Sequence, residues 1–391
     1  MREVWRKDFP WTERIAYFRH AFNSPLPRIA IEEIFQYFTY QSHLGFVQSD
    51  ENSKTDETRK NLANVIKANP EEIAITQNYT EGLNIATSNI DWKGKKNVVV
   101  GEGDYFSTII HLVNLVKKKI KVKLKVLPMD EDGFYMVDKA KDMIDDETAL
   151  VHLVHVPNEI GTIQPVGKIF EYARKMGALT IVDAAQSTGL VPHKVRDLNC
   201  DFYSSVGKKW LMGPVGTAFF WCRKDLIEDM EPPIVGKHVI NYDLNEVNLV
   251  KTAERFESTT PNHPGIVGLG ASTRYWLKIG EVTVEASVKE LIKYLINKLT
   301  EECDANIIGT KDTENRTGIT CFTLKGINVR DIVNELQCKY FVHTDVRGLS
   351  TPTMIVFSGE VVRVSTHFYN SHNDVDRLIQ ALKEIKKSKW R

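Results

Sequence analysis

Short apolar runs alternate with longer amphipathic stretches between about residues 60 and 225 of the chain. The runs are rich in β-branched and aromatic residues, whereas the stretches between them repeat their apolar positions with a helical period. This alternation is typical of a mainly parallel sheet that is covered by helices. The predicted strands are Asn97–Val100, Ile120–Leu127, Leu150–Val154, Leu179–Val182, Asp201–Ser204 and Thr217–Trp221. The predicted helices are Glu81–Ser88, Ser107–Lys117, Val137–Ile144 and Val166–Met176.

The breaker-rich segment Pro261–Pro264 separates this pattern from a second one. A long helix is predicted from there through Leu277, followed by an amphipathic stretch that reaches about Thr300. Alternating strands and a last helix, Asp374–Lys387, complete the chain. We therefore predict a large α/β domain with an N-terminal arm over residues 1–262, and a smaller α+β domain over residues 263–391.

Composition agrees with two folded domains, because 391 residues of which 42% are hydrophobic can bury a large core. Fifty-one basic residues balance fifty-one acidic ones, so no overall positive field attracts nucleic acid or anionic lipid. The lysines between Lys117 and Lys125 alternate with apolar residues, which favours protection of an exposed strand edge over an anion-binding patch. No apolar stretch suits a leader or a membrane span, so we expect a cytoplasmic protein acting on a small molecule.

Cysteine and histidine spacing gives no sign of a metal site or a disulfide framework. The five cysteines are scattered and include no C-x-x-C pair, which indicates free thiols in a reducing compartment. His152 and His155 lie three apart on a predicted strand and so face opposite sides of it. We therefore expect no shared metal.

An acid and a lysine end two successive predicted strands. Asp183 closes the apolar run of Ile-Val-Asp-Ala-Ala-Gln-Ser-Thr-Gly, and Lys209 stands in the next segment, Ser-Ser-Val-Gly-Lys-Lys-Trp-Leu-Met-Gly-Pro-Val-Gly. Pyridoxal 5'-phosphate (PLP) enzymes need such a pair, because the lysine amine forms an imine with the cofactor aldehyde while the acid keeps the pyridine nitrogen protonated. A lysine-rich surface turn is the alternative interpretation of the second segment.

Both segments resemble the cofactor signature of the class V aminotransferases, which use PLP. The resemblance extends from about residue 20 to residue 385 and implies PLP-dependent fold type I. It places Lys209 at the Schiff-base position and Asp183 opposite the pyridine nitrogen. Lys208 replaces the usual histidine, and Val206 stands where the family often has a phosphate-binding serine. Phosphate binding is therefore transferred to Ser205.

Three further segments follow in the order that the family predicts. Asn158 resembles the asparagine that hydrogen-bonds the phenolic oxygen of the cofactor, with Gln186 contacting the same region; an ordinary turn residue is the alternative for Asn158. Tyr79 and Thr80 match the phosphate-binding positions at a predicted helix start, where a plain capping threonine is the alternative. Tyr105 matches the aromatic residue that stacks on the pyridine ring, and it fits better than its neighbour Phe106. All these residues follow strand ends, where an open α/β sheet places its ligand site.

Two downstream segments complete the resemblance. Thr260 matches a threonine that reaches the phosphate of the neighbouring subunit, which implies a homodimer with active sites at the interface; a hinge threonine is the alternative. Arg363 matches the arginine that binds the substrate α-carboxylate with its planar guanidinium. Because an unpaired charge in an apolar strand is costly, Arg363 needs an anion nearby, and a structural ion pair is the alternative to the substrate.

The motifs determine the cofactor better than they determine the reaction. Cysteine desulfurases carry a cysteine on a mobile loop before the arginine strand, and residues 346–352 contain none, which disfavours that activity. A transamination of an α-amino acid is slightly favoured, with an epimerase resembling isopenicillin N epimerase or a C–S lyase as alternatives. A PLP-binding protein without activity would be expected to lack Lys209 or Arg363. A nicotinamide-dependent dehydrogenase would need a third glycine after Gly101 and Gly103.

Overall fold

The computed structural model describes residues 2–45, 48–117, 122–349 and 352–389. Its helices are α1 (Arg2–Arg6), α2 (Arg28–Leu44), α3 (Gln48–Ile66), α4 (Tyr79–Ser88), α5 (Phe106–Lys117), α6 (Val137–Met143), α7 (Val166–Lys175), α8 (Lys224–Ile227), α9 (His263–Ile279), α10 (Glu281–Cys303), α11 (Val329–Tyr340) and α12 (His372–Lys389). Its strands are β1 (Ala16–Tyr17), β2 (Ile73–Thr76), β3 (Asn97–Gly101), β4 (Lys123–Leu127), β5 (Thr148–Val154), β6 (Leu179–Asp183), β7 (Phe202–Val206), β8 (Ala218–Cys222), β9 (Val239–Tyr242), β10 (Val247–Leu249), β11 (Ala305–Ile307), β12 (Ile319–Leu324), β13 (Val342–His343), β14 (Asp345–Gly348) and β15 (Glu360–Ser365).

A seven-stranded sheet in the order β2-β8-β7-β6-β5-β3-β4 forms the centre of the molecule. The strands from β7 to β4 run parallel, whereas β8 is antiparallel to both of its neighbours. Every residue of the interior strand β5 is buried, as expected for a strand covered by helices on both faces. Because β2 also runs opposite to β8, strands β2, β3, β5, β6 and β7 all end at one edge of the sheet.

A four-stranded antiparallel sheet in the order β11-β12-β15-β14 forms a second layer with its own apolar core. Helices α10, α11 and α12 supply the apolar side chains that cover it. The N-terminal segment also joins this part of the molecule, because β1 pairs in parallel with β13. As a result, residues of the N-terminal segment and of the small sheet lie near the carboxyl ends of the parallel strands in the large sheet.

The predicted elements are confirmed with shifts of a few residues at their ends. The helix beginning near Pro264 and the amphipathic stretch after it are α9 and α10, and the last predicted helix is α12. The lysine-rich strand is β4, and it lies at the edge of the large sheet as the alternation predicted. Its expected first two residues, 120 and 121, lie outside the described residues. The domain boundary at residue 262 stays a prediction.

The helices in the described ranges are all too short or too polar to cross a lipid bilayer. Within the same ranges, no group of histidine, cysteine or acidic side chains could hold a metal ion. All five cysteines are free thiols, and Cys338 is the exposed one among them.

Candidate active site

A cavity of about 210 Å³ opens where the parallel strands of the large sheet end. Seven of the site residues predicted from the sequence line it, namely Tyr79, Thr80, Tyr105, Asn158, Asp183, Gln186 and Lys209. They follow five different strands or strand-to-helix turns, and the sheet topology alone brings them together. The cavity is therefore the site that the sequence predicted at this edge.

Lys209 and Asp183 occupy two separate places on the cavity wall. Asp183 is the last residue of β6, and Lys209 follows the end of the adjacent strand β7. Their charged groups do not approach within the 4.0 Å of an ion pair. The cavity wall thus carries an amine and a carboxylate that are not consumed by an ion pair with each other.

Burial shifts the pKa of both groups away from the charged form. It lowers the pKa of Lys209 to about 7, although the nearby Asp183 carboxylate opposes this shift. It also raises the pKa of Asp183, against the opposing effects of Lys209 and of the backbone N–H of Ala185, which donates to the carboxylate at 2.8 Å. A cation held against Asp183 would offset the remaining cost of burying this carboxylate.

Asn158 and Gln186 are joined directly, as their predicted roles at one place on the cofactor require. The Gln186 amide nitrogen donates to the Asn158 side-chain oxygen at 2.6 Å. The Gln186 oxygen in turn accepts from the Trp210 indole at 2.9 Å, which fixes which way the amide faces. Asn158 also donates to Glu159 at 2.8 Å, so it is held as more than a simple turn residue.

Helix α4 points its N-terminus at the cavity. Asn78 caps it by accepting from the backbone N–H of Glu81 at 3.0 Å, and the cavity is lined by Asn78, Tyr79 and Thr80. Gly82 allows the helix to approach the sheet, because a Cβ there would lie 2.5 Å from the Ser204 hydroxyl. The first N–H groups of a helix have no partner within it, so this end of the cavity suits a phosphate.

The side chain of Tyr79 is held by a buried chain of hydrogen bonds. Its hydroxyl contacts His152 Nε2, and His152 Nδ1 lies 2.7 Å from the Asp104 carboxylate. The same carboxylate accepts from the backbone N–H groups of Gly101 and Val154 at 3.2 and 3.0 Å. His152 is thus a hydrogen-bond partner of Tyr79. The Tyr79 hydroxyl is engaged by His152 and is not available to a phosphate in this arrangement.

Tyr105 lies between β3 and α5 and lines the cavity. Its ring is 39% exposed and lies 4.5 Å from the Phe106 ring, centroid to centroid. Phe106 does not line the cavity, whereas Tyr105 does, which agrees with the preference for Tyr105. Ser107 also faces this space, and its buried hydroxyl has no hydrogen-bond partner in the described part of the chain.

Arg363 lies behind the cavity wall, fully buried on β15. Its guanidinium donates to the Asp345 carboxylate at 2.7 Å and also contacts the Asn158 side-chain oxygen. The ion pair that the sequence left open is therefore present. Its remaining nitrogen, Nε, is buried and has no partner among the described residues, and the contact with Asn158 keeps the guanidinium next to the site.

Besides Arg363, two predicted site residues do not line the cavity of this chain. The Ser205 hydroxyl is fully buried and donates to the Ala184 carbonyl at 3.2 Å. Thr260 is exposed and has a positive φ of 53°, in the turn before α9. Neither residue therefore reaches the lysine and the acid within one chain.

The cavity also contains residues that sequence reasoning did not assign to it. Phe22 comes from the segment before α2, and Arg347 comes from β14 of the small sheet. Lys208, which stands where the family usually has a histidine, also lines the cavity. Arg347 belongs to residues 346–352, which lie next to the arginine strand and contain no cysteine, so a second arginine there was a sequence signal for a site residue.

The residues present fit PLP. The lysine and the acid both line the cavity, a helix N-terminus serves the phosphate, burial raises the pKa of the Asp183 carboxylate, and the buried Ser107 hydroxyl has no partner among the described residues. The cavity thus offers a suitable group for each functional part of the cofactor. Nothing in this arrangement requires a metal ion.

Comparison with known proteins gives the same picture along the whole chain. The sequence model of the family described as "Aminotransferase class-V" matches residues 16–378. A probable cysteine desulfurase of Pyrococcus abyssi is 30% identical over 98% of this chain and 97% of its own length. A cysteine desulfurase of Escherichia coli O8 (strain IAI1) is 28% identical over 97% of each protein. The apo structure of a cysteine desulfurase from Thermococcus onnurineus NA1 superposes with a TM-score of 0.89, at 28% identity, over 99% of this chain and 98% of that chain.

Proposed function

Because the chain belongs to the class V aminotransferase family of PLP-dependent enzymes, we propose that it cleaves a C–S bond of a sulfur-containing α-amino acid. Its fold is that of PLP-dependent fold type I, and its cofactor is PLP. The sulfur leaves with a small-molecule product and not on a cysteine of the enzyme. C–S lyase activity was an alternative to transamination in the sequence interpretation, and it now becomes the leading one.

The similarity to proteins named cysteine desulfurases supports the reaction class. Relatives of that name match nearly the full chain at 28–30% identity, and they differ from the epimerases that the motifs resembled. The absence of a cysteine in residues 346–352 supports the proposal that the sulfur leaves with a small-molecule product. Positions 350 and 351 lie outside the described residues, but neither is a cysteine. The exposed Cys338 lies on α11, and the buried Cys321 has its pKa raised to about 12 by burial, so it is not a ready nucleophile.

Bound PLP supplies an electron sink for the bonds to the substrate Cα. Lys209 is the attachment residue, and with a pKa lowered to about 7 its amine can accept and return a proton near neutral pH. Asp183 would hold a proton on the pyridine nitrogen of the bound cofactor, because a positive partner offsets the cost of burying its carboxylate. The two residues together support removal of the Cα proton, which precedes loss of a β-sulfur.

The other residues position the cofactor and the substrate. Thr80 and the first turn of α4 would hold the phosphate, and Tyr105 would stack on the ring. Asn158 and Gln186 would hold the phenolic oxygen, and we assign the substrate α-carboxylate to Arg363, which contacts Asn158 from behind the cavity wall. Ser205 supports this wall from behind through its bond to Ala184. In this assignment Tyr79 acts as a fixed wall, because His152 already engages its hydroxyl.

The observation that carries the proposal is the placement of Lys209 and Asp183 on one buried cavity in a chain that matches desulfurases along its length. Transamination is the second candidate, because the same pair serves it and the missing thiol does not obstruct it. The two reactions differ in their products, so one experiment separates them.

Holoenzyme should be incubated separately with L-cysteine, L-cystine and L-alanine, with Lys209→Ala as the matched control. We expect pyruvate, ammonium and a sulfur product in equal amounts from a sulfur-containing substrate, and none from the variant. Conversion of the cofactor to its pyridoxamine form with release of a keto acid would establish transamination instead. Inversion at Cα without either product would indicate an epimerase.

We further propose that the protein is a homodimer in which Thr260 of each subunit serves the cofactor phosphate of the other. Thr260 is exposed and lies outside the cavity of its own chain, as such a role requires. Helix α2 presents an exposed apolar face in the single chain, formed by Ile31, Phe35 and Phe38. A second copy would bury this face.

Mixed dimers test this assignment. A Thr260→Ala subunit paired with a Lys209→Ala subunit should contain one intact site, made of Lys209 from the first and Thr260 from the second. We expect the mixture to recover activity that neither variant has alone, and sedimentation to give twice the subunit mass. A monomer, or a mixture without recovered activity, would contradict the shared site.

A further inference from the structure

A buried carboxylate joins the two sheets of the molecule beside the cavity. Glu102 follows β3 and is fully buried. Its Oε1 atom accepts from the backbone N–H groups of Ile355 and Val356 at 2.5 and 2.6 Å, and its Oε2 atom accepts from that of Met129 at 2.9 Å. Met129 follows β4 of the large sheet, whereas Ile355 and Val356 lie between β14 and β15 of the small sheet. We call these three contacts the Glu102 clamp.

Backbone donors take the place of a counterion in the Glu102 clamp. Among the described residues, no basic side chain forms an ion pair with Glu102. An ionised carboxylate suits this place, because each contact requires an acceptor and N–H groups form strong hydrogen bonds to a charge. Loss of the acceptor would leave these N–H groups without a partner, which costs free energy where they are buried.

The large sheet holds the Glu102 end of the clamp in place. The backbone N–H of Glu102 donates to the Leu127 carbonyl at 2.8 Å, and its own carbonyl accepts from the Tyr135 hydroxyl at 3.2 Å. Asp104, two residues further on, is bonded to β5 through the backbone N–H of Val154. The β3–α5 loop is thus fixed to the large sheet, and the clamp attaches the segment before β15 to this loop.

The clamp is adjacent to residues that line the cavity. Gly103 and Tyr105 of the β3–α5 loop line it, as does Arg347 of β14. A Cβ added at Gly103 would lie 3.5 Å from the Met354 methyl carbon, so the clamped segment packs against this part of the wall. Burial raises the pKa of the Tyr105 phenol, and the charge of Arg347 opposes this rise. The clamp therefore connects the two elements that carry Tyr105 and Arg347.

We propose that Glu102 is a positioning residue of the active site. By fixing the segment before β15 to the β3–α5 loop, its carboxylate holds Tyr105 at the place where we assign it to stack on the cofactor ring. Glu102 itself does not line the cavity, so it acts through Tyr105. The inference rests on the stacking role given to Tyr105 under the proposed function, and it does not depend on which substrate bond is broken.

Glu102→Gln tests the clamp with little change in side-chain volume. Glutamine has one acceptor oxygen, so its NH2 group must face either the N–H of Met129 or those of Ile355 and Val356. One side of the clamp is therefore lost whichever way the amide turns. Glu102→Asp is the milder second variant, because it keeps the charge but is one methylene too short to reach both segments. Its effects should lie between those of Glu102→Gln and the unmodified protein.

Glu72→Gln is the matched control. Glu72 is also fully buried, and it accepts from Arg196 at 2.6 Å and from the Trp221 indole at 3.2 Å. It does not line the cavity and has no contact with the clamp. This variant therefore reports the effect of altering a buried carboxylate elsewhere in the large domain.

Hydrogen exchange of the holoenzyme, measured by mass spectrometry, tests the clamp directly. In Glu102→Gln the amides of residues 353–357 should exchange at least about tenfold faster, the effect of losing one charge-assisted hydrogen bond. The same peptide should change by less than about twofold in Glu72→Gln. Unchanged exchange in both Glu102 variants would overturn the inference, as would an equal change in Glu72→Gln.

Cofactor binding tests whether the clamp acts through Tyr105. The dissociation constant of PLP from the apoenzyme should rise at least about fivefold in Glu102→Gln and in Tyr105→Leu. The double variant should resemble Tyr105→Leu, because two changes on one route do not multiply. The visible circular dichroism of the bound cofactor, which reports the orientation of its ring, should change in Glu102→Gln and not in Glu72→Gln. Multiplied effects in the double variant would overturn the route through Tyr105.

The inference and the role of Tyr105 can fail separately. An unchanged PLP affinity in Tyr105→Leu would reject the stacking role that the proposed function gives to Tyr105. A weakened affinity in that variant, with normal exchange of residues 353–357 in Glu102→Gln, would keep the stacking role and overturn the positioning role of Glu102. Neither result bears on C–S cleavage, which the product measurements decide.

Discussion

Arg363 and Asp345 lie directly opposite each other on β15 and β14, and their side chains form a buried ion pair with an N–O distance of 2.7 Å. The pairing turns one edge of the guanidinium toward Asp345 and leaves the other facing Asn158. The arginine is thus neither free nor purely structural. The Asp345 carboxylate fixes one edge of its guanidinium, while the other edge contacts Asn158, which lines the cavity.

Replacing Arg363 by lysine should separate binding from folding. Lysine keeps the charge but loses the planar fork, so the contact with a substrate carboxylate weakens. We expect the KM for α-amino acids to rise roughly 10- to 1000-fold, with the cofactor spectrum unchanged. Amines without a carboxylate should be poor substrates that respond little to the substitution. Loss of cofactor from the variant would instead mark Arg363 as a purely structural residue.

Replacing Asp345 by asparagine should destabilise the protein, because it leaves the buried Arg363 charge without its main counterion. We expect the free energy of unfolding to fall by about 3–5 kcal/mol, as measured by urea denaturation. A saturating carboxylate ligand should restore part of this loss, since it supplies the missing anion. Arg330→Gln, which removes an exposed pair, should change stability by less than about 1 kcal/mol. An unchanged midpoint for Asp345→Asn would contradict the importance of the pair.

The sequence predicted the part of the site that depends on strand ends. Asp183 and Lys209 follow apolar runs, and parallel strands bring such positions to one edge whatever the details of packing. The same argument located Asn158 and Thr80, although the hydrogen bonds between them and their neighbours could not be inferred.

The remaining site depends on tertiary register that no local pattern contains. Asp345 faces Arg363 only because β14 and β15 pair in this register, and a shift by one residue would separate them. Phe22 and Arg347 come from distant parts of the chain and meet at the cavity through the small sheet. The sequence also contained no sign that His152 pairs with Asp104, which lies on a different loop.

Borohydride reduction should attach the cofactor to Lys209 and not to Lys208. The Lys209 amine lies in the cavity near Asp183, whereas the Lys208 ammonium lies over the Phe22 ring. Peptide mass spectrometry of the reduced enzyme locates the label. Lys209→Ala should lose the label and all turnover while keeping weak PLP binding through the α4 end, and a label on Lys208 would refute the assignment.

Removing the Asp183 carboxylate should weaken both cofactor binding and turnover. Without it the pyridine nitrogen loses its counterion and its proton, so the ring withdraws electrons less strongly. We expect Asp183→Ala to lower kcat by orders of magnitude and to raise the PLP dissociation constant of the apoenzyme. Asp183→Glu should recover part of the binding, because it restores the charge. Near-normal activity in Asp183→Ala would exclude this role.

The lowered pKa of Lys209 should be visible in the pH dependence of the apoenzyme. Only the neutral amine attacks the cofactor aldehyde, so the rate of PLP attachment should rise with pH and level off above about 7. An unperturbed lysine would keep gaining reactivity up to about pH 10.4. Stopped-flow absorbance measures this rate. In Asp183→Asn the midpoint should move to lower pH, because the carboxylate is what holds the pKa up.

The lowered pKa of Lys209 should also make the free energy of unfolding of the apoenzyme depend on pH. Between about pH 7 and 10.4 the unfolded lysine is protonated and the folded one is neutral, so the unfolded state binds more protons and stability of the apoenzyme rises with pH. Burial of the protonated Lys209 amine lowers the free energy of unfolding by its full amount below about pH 7, and this penalty disappears as the pH approaches 10.4. Lys209→Met lacks the titrating amine, so the difference in urea midpoint between it and the unmodified apoenzyme should narrow as the pH rises through this window. A constant difference would show that Lys209 is not desolvated.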